Sequence, residues 1–184
     1  MAWEFDVLYW FQSIHNSVFD VIWPIITLFG AKGAFCAISS VLILIFVKDK
    51  RVGLTCILAW VIDVLICNVT IKPLAMRDRP CWIDTTVPLL VEVPDDYSFP
   101  SGHTAILFCW AISIIQYNKK WGIAAIVLAI LVGFSRLYLF VHFPTDVLVG
   151  AICGTIAAII SGLIVRKCWP NIEKMLEERK KAKE

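Results

Sequence analysis

The stretch FPSGHTAILFCWAISII (residues 99–115) opens on a short polar segment and continues as a largely apolar run. Runs of this kind recur along the chain: 59% of its 184 residues are hydrophobic and only 17% are charged. The mean hydropathy is +0.78. Such a composition is typical of a protein that crosses a membrane several times, and it excludes an ordinary soluble domain. The length suits a single domain over residues 1–184.

Six apolar stretches reach or approach the roughly 20 residues that a helix needs to cross a bilayer. They cover residues 18–31, 33–47, 52–71, 104–117, 121–141 and 145–165. We therefore predict an all-α fold, a bundle of six transmembrane helices over 18–165. The aromatic-rich segment 1–17 is predicted to be amphipathic and to lie along the membrane interface. Residues 166–184 are predicted to form a basic cytoplasmic tail.

The basic residues predict an orientation for this bundle. With six crossings, one side of the membrane holds the basic residues of the loop 48–51, of the loop 118–120 and of the tail. The positive-inside rule makes that side cytoplasmic. Both termini are then predicted to be cytoplasmic, and the polar segments between the opposite span ends are predicted to be extracytoplasmic.

Several classes of site are not supported by the sequence. Seven cysteines are scattered singly, without the Cys or Cys/His spacing of zinc sites. A net charge of +2 gives no reason to expect a nucleic-acid partner. We predict no metal and no cofactor.

Three polar islands lie at the predicted extracytoplasmic span ends. They are KPLAMRDRP (72–80), PSGH (100–103) and SRLYLFVHFPTD (135–146). Lys72, Arg79 and Arg136 are cations without a run of carboxylates beside them, and this pattern predicts an oxyanion such as phosphate as their partner. Ser101 and Gly102 open a helix, where free backbone N–H groups favour an anion.

Two histidines, His103 and His142, also lie in these islands. Histidine is the side chain best suited to exchange protons near neutral pH. Asp146 follows His142 by four residues, and Pro144 between them fits the first turn of a helix. Asp146 is therefore expected to turn back and hydrogen-bond the His142 ring, which would orient the ring and raise its nucleophilicity. Each residue alone also fits a structural role, but their combination at one depth favours a catalytic site.

Three further charged residues are less specific. Lys32 is interpreted as an anchor at the membrane interface. Arg77 is expected to assist a second phosphate of the substrate. Asp63, in the middle of the third span, is either a functional carboxylate or a polar residue paired inside the bundle.

The islands resemble the three-part signature of the type 2 phosphatidic acid phosphatase family, whose members share an active-site architecture with vanadium haloperoxidases. The matching residues are Lys72 with Arg79-Pro80, Pro100-Ser101-Gly102-His103, and Ser135-Arg136 with His142 and Asp146. The resemblance implies that His142 attacks phosphorus, that Asp146 orients it, and that His103 protonates the leaving group. It also implies which residues hold the phosphoryl oxygens, namely Lys72, Arg79, Ser101, Gly102 and Arg136.

The resemblance further implies a metal-independent lipid phosphatase in the bilayer of a bacterial cell membrane, acting through a phosphohistidine. Undecaprenyl diphosphate is the expected substrate, with phosphatidylglycerol phosphate and phosphatidic acid as alternatives. The acidic loop, residues 81–98, argues against a bulky second anion. An anion transporter is the non-enzyme alternative, although transporters place such charges near mid-membrane. The sequence leaves the oligomeric state open.

Overall fold

A computed structural model describes residues 2–181, and within these residues the chain is helical without a strand. The helices are α1 (Ala2–Ser13), α2 (Phe19–Thr27), α3 (Ala34–Phe46), α4 (Lys50–Asp63), α5 (Lys72–Ala75), α6 (Pro80–Ile83), α7 (Gly102–Ile115), α8 (Lys119–Tyr138) and α9 (Pro144–Lys181). A 3₁₀ segment, Leu28–Gly33, joins α2 to α3, and a π-helical segment, Val64–Ile71, joins α4 to α5. The all-α prediction is confirmed. Residues 182–184 of the predicted tail lie outside the described residues.

Within residues 2–181, four helical runs are long and apolar enough to cross a membrane. They are Phe19–Phe46, Lys50–Ile83, Lys119–Tyr138 and Pro144–Met175. Helix α7 is apolar but shorter, at 14 residues, and it packs against α4, α8 and α9 in the middle of the bundle. The predicted count of six crossings is not confirmed, because the first two predicted spans fall within the single run Phe19–Phe46.

Glycines on α9 allow it to pack closely against α7. A methyl group at Gly154 would lie 2.0 Å from the carbonyl oxygen of Ala105, and one at Gly150 would lie 2.6 Å from that of Ser101. Small residues at such positions let the backbones of two membrane helices approach each other. The N-terminal ends of the two helices are tied as well, since the Ser101 N–H donates to the Asp146 carbonyl at 3.0 Å.

Helix α1 lies at the end of the bundle where α8 ends and α9 begins, which we call the polar end. Gln12 Nε2 donates to the Tyr138 carbonyl at the end of α8, at 3.0 Å. The Thr145 hydroxyl, in the first turn of α9, donates to Glu4 at 2.6 Å. The N-terminal helix is therefore packed onto the polar end by both α8 and α9.

Helix α2 stays at the polar end instead of crossing the bundle. The Tyr138 hydroxyl donates to Asp20, near the start of α2, and Arg136 donates to Thr27, at its end, both at 2.6 Å. At about 1.5 Å per residue, its 9 residues are also too few to span a bilayer. The prediction that 18–31 crosses the membrane by itself is therefore not confirmed.

Helix α1 and the C-terminal part of α9 lie at opposite ends of the bundle. Helix α9 starts at the polar end and runs to the opposite end, where Arg166 donates to the Gln116 carbonyl just after α7, at 3.3 Å. Since α1 is at the polar end, the prediction that both termini share one side is not confirmed. The chain turns at Lys32 and Gly33, whose φ angles are +49° and +67°, and α3 then runs from the polar end towards the opposite end.

Candidate active site

A cavity of about 780 Å³ opens at the polar end, beside the start of α7. Its wall includes most of the predicted site residues, which are Lys72, Arg79, Gly102, His103, Arg136 and His142. Ser101 and Asp146 are fully buried, behind this wall. Asp63 also lines the cavity and accepts a hydrogen bond from the Cys67 thiol, with Sγ at 3.4 Å. Within residues 2–181, no group of three or more His, Cys, Asp or Glu side chains is placed to bind a metal.

His142 lies in the turn between α8 and α9, and its ring is almost completely buried. Nδ1 is 3.4 Å from Asp146 Oδ2, and Nε2 is 3.1 Å from Arg79 Nη1. Because an arginine can only donate, Nε2 is the accepting nitrogen, and the ring proton belongs on Nδ1, facing Asp146. Nε2 therefore presents a lone pair on the side of the cations.

The surroundings of His142 keep its ring neutral. Burial lowers the pKa of His142 well below its ordinary value, and the positive charges of Arg79, Arg136 and Lys72 lower it further. A neutral imidazole with its lone pair on Nε2 is the form that can act as a nucleophile.

Asp146 is held at the start of α9 by a local helix cap. As predicted, α9 begins at Pro144. The Asp146 carboxylate turns back and accepts the Phe143 N–H at 2.8 Å, as the third helical residue does in a capping box. The Ser98 hydroxyl donates a short hydrogen bond to the same carboxylate and lies 3.4 Å from His142 Nδ1. Ser98 was not predicted as a site residue, and its only local signal is that it lies two residues before the polar segment 100–103.

Arg77 is not part of the cavity wall. Its guanidinium lies between Glu4 and Asp146, with a nitrogen–oxygen distance of 2.6 Å to each. It also lies over the Phe143 ring, 4.1 Å from the ring centroid. The expectation that Arg77 assists a second phosphate is therefore wrong, because both terminal nitrogens of its guanidinium are already paired, outside the cavity.

Two of the predicted phosphate-binding cations are paired with Asp96 of the acidic loop. Asp96 Oδ1 is 2.5 Å from Arg79 Nη2, and the other carboxylate oxygen contacts Lys72 Nζ. Burial raises the pKa of Asp96, but the hydrogen bonds and charges of Lys72 and Arg79 outweigh it and lower the pKa to about 2. The prediction that these cations lack a carboxylate is wrong: an ionised Asp96 occupies the position of an anion.

Arg136 remains without a carboxylate among the residues that the structure describes. Its side chain is buried, and Nη1 donates to Thr27. Its Nε has no hydrogen-bond partner within residues 2–181. A buried guanidinium with a free donor is costly unless an anion completes it, so Arg136 marks the cavity as an oxyanion site.

The start of α7 contributes a further part of the polar wall of the cavity. Ser101 is the N-cap residue, but its hydroxyl is 3.0 Å from the Thr104 hydroxyl, and the side chain does not line the cavity. Gly102 and His103 do line it. His103 packs against Gly30, where an added methyl group would lie 2.7 Å from His103 Cδ2. The Ser101 hydroxyl thus supports the helix start, while Gly102 and His103 are accessible to a ligand.

Replacing Asp96 with asparagine is expected to tighten the binding of orthovanadate by about fivefold. A half-exposed ion pair is worth about 1 kcal/mol, and its loss removes a competitor for Lys72 and Arg79. Because the pKa of Asp96 is about 2, its carboxylate is ionised throughout pH 5 to 9, and the gain should not vary across that range. Inhibition constants measured across that pH range would check this. Asp95→Asn, in the same loop, is the matched control, and weaker vanadate binding by Asp96→Asn would contradict the competition.

Comparison with known proteins identifies the fold and the chemistry. A model of the PAP2 superfamily matches residues 52–170. An undecaprenyl-diphosphatase from Sulfolobus acidocaldarius is 34% identical over 141 residues, covering 75% of this chain and 68% of that protein. An undecaprenyl-diphosphatase from Bacillus subtilis is 34% identical over 160 residues, covering 83% of this chain and 76% of that protein.

A solved structure extends the similarity to the fold. The crystal structure of a transmembrane PAP2-type phosphatidylglycerolphosphate phosphatase from Bacillus subtilis aligns with a TM-score of 0.74 at 27% identity. The alignment covers 90% of this chain and 86% of that one. The predicted resemblance is confirmed, and the comparisons favour an enzyme over an anion transporter. The chain is a membrane phosphatase that belongs to the PAP2 superfamily.

Proposed function

We propose that this membrane phosphatase releases phosphate from a lipid phosphate through a covalent phosphohistidine on His142. The observation that carries the proposal is the buried His142 ring, whose Nε2 lies 3.1 Å from Arg79 Nη1 at the wall of the cavity that Lys72 and Arg136 also line. Lys72, Arg79 and Arg136 would hold the phosphoryl oxygens and stabilise their charge during transfer, with the Gly102 N–H as a further donor.

The proposed reaction has two steps. In the first, His142 Nε2 attacks phosphorus, the bond from phosphorus to the lipid oxygen breaks, and His103 gives its proton to that oxygen. In the second, His103 takes a proton from water, the resulting hydroxide attacks phosphorus, and the bond to Nε2 breaks to release inorganic phosphate. Asp146 stabilises the imidazole as its charge rises. No step needs a metal.

Undecaprenyl diphosphate is the proposed substrate. Two relatives that the chain largely covers carry that activity in their names, whereas the similar solved structure is named for phosphatidylglycerolphosphate. The position of Lys32 gives a physical reason to expect a diphosphate substrate. It lines the cavity two residues after Gly30, which touches His103, and it forms no ion pair within residues 2–181. Since His103 serves the leaving group, Lys32 would lie beside the phosphate of a departing lipid monophosphate.

Lys32→Ala is expected to lower kcat/KM for undecaprenyl diphosphate about tenfold. A lost charge-assisted contact to the leaving phosphate costs about 1.4 kcal/mol at the transition state. Phosphatidic acid loses its phosphate to leave an uncharged diacylglycerol, so its kcat/KM should change little. The assay compares undecaprenyl diphosphate with phosphatidic acid and phosphatidylglycerol phosphate in matched micelles, with Lys120→Ala at the opposite end as the control.

Either of two results would reject undecaprenyl diphosphate. One is a wild-type preference for phosphatidylglycerol phosphate or phosphatidic acid. The other is an equal effect of Lys32→Ala on diphosphate and monoester. The phosphatase reaction itself would be unaffected by both results.

We also propose that the site faces the extracytoplasmic side of a bacterial cell membrane. The basic residues of the loops 48–51 and 118–120 lie at the end opposite the site, where the positive-inside rule expects the cytoplasm. With α2 confined to the polar end, the helices α3 to α9 would cross the bilayer in five passes. The N-terminal helix is then extracytoplasmic, whereas the C-terminal part of α9 is cytoplasmic together with the loops 48–51 and 118–120.

Cysteine labelling distinguishes this arrangement from six crossings. In a Cys168→Ser background, Asp6→Cys and Thr85→Cys are both expected to react with an impermeant thiol reagent applied outside intact cells, because both positions are exposed at the polar end. In the native chain, Cys168 is expected to react only after lysis. Labelling of Thr85→Cys from outside together with labelling of Asp6→Cys only after lysis would restore the six-span topology.

A further inference from the structure

A closed ring of polar contacts joins the N-terminal helix to the carboxylate behind the nucleophile. Arg77 Nη2 lies 2.6 Å from Glu4 Oε2, and Arg77 Nη1 donates to Asp146 Oδ1 at 2.6 Å. Thr145 closes the ring, accepting from Arg77 at 2.7 Å and donating to Glu4 at 2.6 Å. The side chains of Glu4 and Arg77 are only 6% and 17% exposed, and that of Asp146 is fully buried.

From this ring we infer that Glu4 and Arg77 are positioning residues for phosphoryl transfer, which set the orientation and the charge of Asp146 beside His142. The inference rests on the proposed nucleophilic role of His142. Neither residue lines the cavity, so both would act through Asp146 and not on the substrate.

The fold brings Glu4 to this place through the apolar face of α1. Glu4, Leu8 and Phe11 lie at helical spacing, and all three are buried. Phe5, next to Glu4, packs edge-on against Phe143 with ring centroids 5.3 Å apart. A glutamate on a buried face is rare unless it has a charged partner, and here the partner is 73 residues away in the sequence.

Two carboxylates and one guanidinium together give the ring of contacts a net negative charge beside His142. Arg77 alone would neutralise Asp146 and leave no net negative charge to stabilise a cationic His142. Glu4 neutralises Arg77 in turn, so the three side chains together carry one negative charge. Buried charges of this kind act strongly on a neighbour because little solvent screens them.

This balance predicts opposite effects for two variants. Removing the negative charge in Glu4→Gln should make His142 harder to protonate, and the acid limb of kcat/KM should move to lower pH. Removing the positive charge in Arg77→Gln should make His142 easier to protonate, and the acid limb should move to higher pH. The double variant restores the net charge and should return the limb towards the wild-type position. All three variants leave the other charged and titratable groups around His142 unchanged. These groups are Lys72, Arg79, Asp96, His103 and Arg136.

The experiment uses the full-length protein in detergent and a short-chain phosphatidic acid, whose hydrolysis does not depend on the identity of the natural lipid. Arg77→Gln is expected to lower kcat about 10- to 100-fold, as loss of a supporting residue commonly does. Arg77→Lys keeps the charge, so it should leave the acid limb in place while kcat falls. Asp6→Asn, on the exposed face of α1, is the matched control. Thermal unfolding of each variant separates misfolding from a loss of turnover.

The outcomes separate this inference from the proposed function. If Glu4→Gln and Arg77→Gln lower kcat without moving the acid limb, or move it in the same direction, the ring is merely structural and the inference fails. If the phosphoenzyme does not depend on His142, the proposed function fails whatever these variants do. If the phosphoenzyme depends on His142, and if the acid limbs of Glu4→Gln and Arg77→Gln move in opposite directions, the proposed function and this inference are both supported.

Discussion

Replacement of His142 with alanine is expected to reduce phosphate release to the uncatalysed background, a loss of about 10⁴-fold or more. The Nε2 of His142 would form the bond to phosphorus, and a water molecule in the vacated space would lack both the position and the basicity of that nitrogen. Asp146 and Ser98 would remain hydrogen-bonded to each other without a ring to orient. The rest of the cavity would still bind a phosphate.

Rapid quenching with a lipid radiolabelled in its terminal phosphate checks this result. The wild-type protein is expected to give an acid-labile phosphoenzyme that His142→Ala lacks. His15→Ala is the matched control, because His15 is another polar-end histidine and its ring nitrogen contacts the Tyr138 carbonyl at 3.2 Å. An acid-labile phosphoenzyme in His142→Ala would show that another residue is the nucleophile.

Replacement of His103 with alanine is expected to lower turnover of a lipid phosphate by about 10²- to 10⁴-fold, the usual contribution of a general acid. An alkoxide is a poor leaving group without a proton, whereas a nitrophenolate leaves readily on its own. The deficit in the rate of phosphoenzyme formation should therefore shrink when p-nitrophenyl phosphate replaces the lipid. Hydrolysis of the phosphoenzyme should become slow in both cases, because His103 also activates water.

The informative measurement is the rate of phosphoenzyme formation with each of the two substrates, and the ratio of these two rates is compared between wild type and His103→Ala. An initial burst of nitrophenol with slow turnover would show that attack survives while dephosphorylation does not. Gly30→Ala is a useful companion, because its methyl group would press on the His103 ring and should give a milder version of the same pattern. An equal loss in the rate of phosphoenzyme formation with both substrates would contradict the assignment of His103 as the acid.

The helices and the cavity followed largely from local patterns in the sequence. Hydropathy located α3, α4, α8 and α9, and Pro144 marked the start of α9. The same signal misplaced α2, because hydropathy reports contact with an apolar medium and not the direction of the chain. The turn at Lys32 and Gly33 depends on left-handed backbone angles for which the apolar pattern gives no cue.

The residues that the sequence did not assign correctly are those that depend on distant contacts. Glu4 and Arg77 meet across 73 residues, and nothing near either one indicates the other. Asp96 was recognised as an acidic loop residue, but the path of that loop decides that its carboxylate contacts Lys72 and Arg79. Lys72, Arg79, His103 and His142 were found because their spacing is a property of the linear motif itself.

The pairing of Asp96 with Lys72 and Arg79 has a consequence for the enzyme in a phosphate-rich medium. A carboxylate attached to the same chain competes at an effective concentration in the millimolar range, whatever the composition of the surroundings. Free inorganic phosphate must displace this carboxylate before it contacts the cations, and an ion pair of about 1 kcal/mol raises the concentration that it needs about fivefold. Accumulating product should therefore slow the wild-type enzyme less than it slows Asp96→Asn. A lipid substrate is confined to the bilayer, where its high local concentration helps it to displace Asp96.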